Sequence, residues 1–261
     1  MSLVTTIAKI IGSIIFGLFL IALIFVSAMV QFTEYSNLQP AFSGLVSQGM
    51  QAPSDAEFAQ MKTTFMQYCQ QSGMTSVNPS QTGGGPNVTI QCADINSAAS
   101  GQEFIQLIAA SLFNDIYYKN YTCDFVSCFL QLPQGEPPLV LLSAHANAFF
   151  KSPVMWAIAG IIAGLALIVF AIRKPFGIAK AVGIEMLVSG AVAYVGINAI
   201  KGMVPAVLAG AADALNQLLN GLFATLQNNF IIVLAIGVVL TVIGFVGVRF
   251  VKTKKPAKKK K

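Results

Sequence analysis

Apolar residues dominate four stretches of the chain, roughly Ile10 to Phe32, Pro153 to Ile172, Ala181 to Ile200 and Ile231 to Val248. Each is close to the ~20 residues a helix needs to cross the hydrocarbon core of a bilayer. The pattern predicts an all-α integral membrane protein with four transmembrane helices. Between the first two spans it changes character. Ser54-Asp55-Ala56-Glu57 is a capping box, and Phe58, Met61, Phe65 and Met66 recur behind it at helical spacing up to Ser72-Gly73. Phe104, Ile105, Ile108, Ala109, Leu112, Ile116 and Tyr117 predict a second helix. Pro79 to Pro86 with its three glycines reads as a loop, and Val88 to Cys92 as a short strand. Tyr35 to Val46 is expected to extend the first span, and Leu139 to Phe150 to feed the second.

Gly202 to Asn229 is more than a loop. Leu208, Ala211, Leu215, Leu218, Leu219, Leu222 and Leu226 form a stripe opposite Asp213, Asn216, Gln217, Asn220 and Gln227, in a helix expected to begin at Pro205. With no basic residue between Lys201 and Arg249, it lacks the cationic face of an interfacial membrane helix. Packing on the outer domain is the expected use. Lining a pore through Asn216 and Asn220 is the alternative.

Charge supplies the orientation. Lys9, Arg173, Lys174, Lys180 and Arg249 flank one side of the spans, with Lys252, Lys254, Lys255, Lys258, Lys259, Lys260 and Lys261 in the tail. From 31 to 152, eight acids face three lysines. The arrangement that keeps the basic loops inside has both termini cytoplasmic and residues 33–152 extracytoplasmic. The divisions are then a signal-anchor span at 1–32, an extracytoplasmic domain at 33–152, spans 2 and 3 with a short cytoplasmic turn at 153–201, an extracytoplasmic amphipathic helix at 202–229, span 4 at 230–251 and a polybasic tail at 252–261. The first apolar stretch is longer than a secretory h-region, which favours an uncleaved anchor. The tail suits anionic lipid. Without interleaved aromatics it is a poor nucleic-acid binder.

Cys69, Cys92, Cys123 and Cys128 all fall in the proposed outer segment. That placement fits disulfides. Local pairs, Cys69 with Cys92 and Cys123 with Cys128, close short loops and are the favoured connectivity among three. The acceptor sequons at Asn87 and Asn120 lie in the same segment, corroborating an outer location.

Candidate chemistry is sparse. His145 is the only histidine, with Ser143 two residues earlier but no orienting acid at a useful spacing. No cofactor or metal signature is present, and no catalytic residue is assigned. Glu185 is the one acid placed inside a span, where it must face the bundle interior, water or Lys180. Small residues at Gly160 and Gly164, Ser189 and Ala193, and Gly244 and Gly247 favour close helix packing. The expected function is that of a non-enzymatic multi-pass membrane protein, anchored in the bilayer, whose outer domain mediates assembly or contact with an unidentified partner. Self-association is part of that expectation. The alternatives are an oligomeric channel or pore, and a membrane-surface enzyme acting on lipid.

Overall fold

The computed structural model describes residues 3–71, 73, 75–79, 88–130, 139–207 and 213–253. In chain order the elements are α1 (Leu3–Phe32), α2 (Tyr35–Gly49), α3 (Asp55–Gln71), β1 (Ser76–Val77), β2 (Ile90–Gln91), α4 (Cys92–Ser97), α5 (Gly101–Tyr117) and α6 (Phe125–Leu130). A 3-10 turn (Leu139–Leu142), α7 (Ala144–Ile172), α8 (Pro175–Val207) and α9 (Asp213–Thr253) complete the fold. The chain divides into two compact units, Met1–Val30 with Phe150–Lys261, and Gln31–Phe149.

The first unit contains the bodies of four helices long and apolar enough to cross a membrane. Large apolar side chains such as Trp156, Ile162, Val195 and Val239 remain exposed on them. That exposure suits a lipid solvent, in which burial of apolar surface brings no hydrophobic gain. Helices are held by shape instead. Phe16 and Phe19 of α1 occupy the space above Gly164 and Gly160 of α7, and Leu167 that above Gly12. Between α8 and α9 the fit alternates along an antiparallel seam. Phe176 lies on Gly247, Lys180 on Gly244, Thr241 on Gly183, Leu187 on Gly237 and Leu234 on Gly190. The α8 positions 176, 180, 183, 187 and 190 follow a heptad spacing, so one face of each helix supplies the whole seam. Arg173 makes the turn between α7 and α8 at φ 53°, with its guanidinium over the Phe170 ring at 5.6 Å.

The second unit is built on α3, α4 and α5. Its core joins Phe58, Phe65, Val77, Val88, Ile90, Ile95, Phe104 and Ile108. The capping box forms as expected. Ser54 donates from its amide (2.8 Å) and hydroxyl (2.7 Å) to Glu57 Oε2. A second cap went unread in the sequence: Ser100 Oγ accepts from the Glu103 amide, and Glu103 Oε2 accepts from the Ala99 amide. β1 and β2 pair antiparallel, Ser76 opposite Gln91 and Val77 opposite Ile90, so the expected strand is only two residues long. Both disulfides have the favoured pairing, Cys69–Cys92 and Cys123–Cys128. The first joins α3 to the start of α4. Lys62 reinforces that join, donating to the Asn96 and Ala98 carbonyls at 2.7 Å each.

Three boundaries differ from expectation. Tyr35 to Val46 does not prolong the first span. The helix breaks at Thr33-Glu34, and the Asn37 amide caps the Gln31 carbonyl at 2.7 Å. Pro205 does not start a helix but lies in the last turn of α8, and the next helix begins at Asp213. The stretch feeding the second span opens with a 3-10 turn. Ser143 then caps α7, its hydroxyl accepting from the Ala146 amide and donating to the Val140 carbonyl at 2.6 Å. The loop expected at Pro79 to Pro86 falls almost entirely outside the described residues.

Candidate functional site

Glu185 lies ten residues into α8, about 15 Å from its start at 1.5 Å per residue. The apolar run of this span begins at Ala181, which puts Glu185 about one turn, ~6 Å, inside it. A carboxylate there costs a few kcal/mol unless its surroundings answer it. The answer comes from α1. The Ser13 hydroxyl hydrogen-bonds the Glu185 carboxylate. Four residues on, Gly17 presents bare backbone, and a methyl group added there would fall 2.7 Å from both Glu185 Oε1 and Ser189 Oγ. Ser13 and Gly17 share one face of α1, Glu185 and Ser189 one face of α8, by the i, i+4 rule. Glycine at 17 is what lets the carboxyl and the buried Ser189 hydroxyl approach the helix.

Lys180 does not serve as the partner of Glu185. Its ammonium lies over the Phe245 ring, 3.8 Å from the centroid. That contact directs it to α9. On the α8–α9 seam the next face carries Thr241, whose hydroxyl oxygen is buried and has no hydrogen-bond partner among the described residues.

The other sequence candidates are dispersed. Asn220 is exposed on α9 and Asn216 is in the same helix. By the seam register Glu185 stands opposite residue 239, about 28 Å along α9 from Asn220. The structure does not gather the acid and these amides into one site. A different amide pair does form, Gln227 Nε2 donating to Asn198 Oδ1 at 2.9 Å. Asn120 is exposed in the turn after α5; Asn87 lies outside the described residues. Lys252 is in the final turn of α9, whereas Lys254, Lys255 and Lys258 to Lys261 lie outside the described residues.

Ser143 and His145 are not assembled as nucleophile and base. The serine hydroxyl is buried and engaged as the α7 cap. His145 packs beside Tyr121 at 6.0 Å between ring centroids, with Nε2 buried and unpartnered among the described residues. No group of three or more His, Cys, Asp or Glu side chains comes together among those residues.

The second unit carries a groove of about 640 Å³ between α2 and α5 with mixed walls, Gln39, Ser43, Gln102 and Gln106 beside Pro40 and Leu107. Its polar groups are amides and hydroxyls, which donate and accept alike, and the Glu103 carboxylate. Ser13 and this groove escaped sequence reading. The Gly12-Ser13 and Gly17 spacing was the available signal for Ser13; the groove depends on the break between α1 and α2. No protein-family model, curated protein or solved structure matches this chain.

Proposed function

We propose that this is a multi-pass membrane protein whose Gln31–Phe149 unit stands on the extracytoplasmic side as a binding module for another protein. The observation that carries the reading is the construction of that unit: its own apolar core and both disulfides within one insert between the first two spans. Disulfides belong to oxidising compartments. Eight of the ten acids lie between the first two spans and twelve of the sixteen lysines and arginines lie on the opposite flanks, which supports the same orientation. The amide and hydroxyl groove between α2 and α5 is the surface proposed for contact. Its hydrogen-bonding groups suit a polar peptide surface.

Two measurements test this reading. An impermeant amine reagent applied to intact cells must modify exposed Lys119, and in a glycosylating host Asn120→Gln must remove a glycan-dependent mass step. A photo-crosslinking residue at Gln106 must then yield one discrete adduct in native membranes, lost when Gln102 is replaced by Trp. Protection of Lys119 from the outside reagent would overturn the orientation. Adducts with lipid alone would overturn the binding role.

A further inference from the structure

We propose that Ser13, Glu185 and Ser189 form a binding site for a small hard cation, the proton or Na⁺, inside the membrane. The inference is independent of the function proposed for the second unit. Its ground is a mismatch of charge: an acid about one turn inside the apolar run of a spanning helix has hydroxyls for neighbours and no cation among the described residues. From α1 the facing groups are Ser13 and Gly17; Lys9, one turn before Ser13, is exposed. At the neighbouring levels of the α8–α9 seam, Gly237 and Thr241 face Gly183 and Leu187, and neither titrates. Within α8, Lys180 is committed to Phe245. A bound proton or Na⁺ removes the cost of an ionised carboxylate in hydrocarbon. The oxygens present are the right donors, since hard cations take carboxylate and hydroxyl oxygens and a protonated carboxyl finds hydroxyl acceptors. Gly17 matters because any side chain there would displace the carboxyl and Ser189 from the helix face.

The test uses the intact chain in detergent or liposomes and dicyclohexylcarbodiimide, an apolar reagent that adds to a protonated carboxyl. The carboxyl proton passes to a carbodiimide nitrogen as the carboxyl oxygen bonds the central carbon, and the adduct is read by mass spectrometry of the Glu185 peptide. A proton site gives labelling that falls roughly tenfold per pH unit above its midpoint. A Na⁺ site gives labelling suppressed several-fold by Na⁺ but not by K⁺ at fixed pH. Either result supports the proposal, and Ser13→Ala or Ser189→Ala should shift the midpoint or weaken Na⁺ protection. Absence of labelling from pH 5 to 9, labelling unaffected by pH and by Na⁺, or equal labelling by a water-soluble carbodiimide would each overturn it. None of these wild-type measurements depends on a variant folding.

Discussion

Asn147 Nδ2 donates to Thr33 Oγ1 at 3.1 Å across 114 residues of sequence, and both side chains are buried. The Tyr117 hydroxyl reaches the Thr33 carbonyl at the same distance. Tyr35 and Phe113 close the apolar side of this knot. Asn147→Leu withdraws the donor from a buried hydroxyl and should destabilise the second unit by about 1–3 kcal/mol. Adding Thr33→Val should recover part of the loss, and a double-mutant cycle in thermal unfolding measures the coupling.

The glycines of α8 are not equivalent. A Cβ at Gly183 would lie 2.5 Å from the Thr241 amide nitrogen and Oγ1, whereas one at Gly196 meets nothing within 4 Å. Gly183→Val should therefore separate α8 from α9 and lower the detergent unfolding temperature by several degrees. Gly196→Ala should leave it unchanged or slightly raised, since alanine is the better helix former. Trp156 fluorescence follows the first unit in both cases.

Loop length ranks the disulfides. Cys69–Cys92 closes a separation of 23 residues and Cys123–Cys128 one of 5. On the chain-entropy account the longer bridge contributes more, by about 1.3 kcal/mol. Cys69→Ser with Cys92→Ser should lower the melting temperature of the second unit further than the corresponding pair at 123 and 128. Equal losses would place the stabilisation in local packing.

Acid sensitivity should trace to two helix starts. Hydrogen bonds from the Ser54 side chain, then from its backbone, hold the Glu57 carboxyl below the ordinary range, and those from Ser127 do the same for Asp124. Carboxyls depressed in the folded state contribute stability that is present above their unfolded values, about pH 4, and fades as pH falls through the lower folded ones. The tyrosine near-ultraviolet circular dichroism band of the second unit should lose thermal stability below about pH 4, with a shallower slope in Glu57→Gln and Asp124→Asn. An unchanged slope in both variants would assign the acid response elsewhere.

His145 offers a simple test of burial. Its Nε2 is enclosed and unpartnered among the described residues, so His145→Leu removes an unanswered polar atom at little change of volume. Replacing such a group by an apolar one is near neutral or stabilising. The expected outcome is an unfolding temperature equal to or above wild type, and a large drop would show that the ring makes a polar contact in the membrane-embedded protein.

The four apolar runs were legible because a bilayer imposes a length and a composition that few other environments require. The capping box at Ser54 and the pairing of cysteines were legible because both are local. Less could be read where distant segments decide the outcome. The break at Thr33-Glu34 follows a polar pair too short to interrupt the periodicity, and Asn37 stabilises it from the following helix. Pro205 resembled a helix start, yet the last turn of α8 accommodates it. Glu185 could be singled out from sequence, but its partner could not, because Lys180 is the nearer in sequence and Ser13 lies 172 positions away on another helix.

The alternation between α8 and α9 limits how this bundle can move. Shifting one helix along the other by a single turn would set side chain against side chain at one level and leave a void between glycines at the next. Intermediate positions are therefore steep in energy, and the two helices travel as a single rod. α1 meets that rod at Gly17 through the polar atoms of Glu185 and Ser189, while Phe16 and Phe19 interlock it with the glycines of α7. A rearrangement within the spanning unit should then be a roll of α1 and α7 together across a rigid pair.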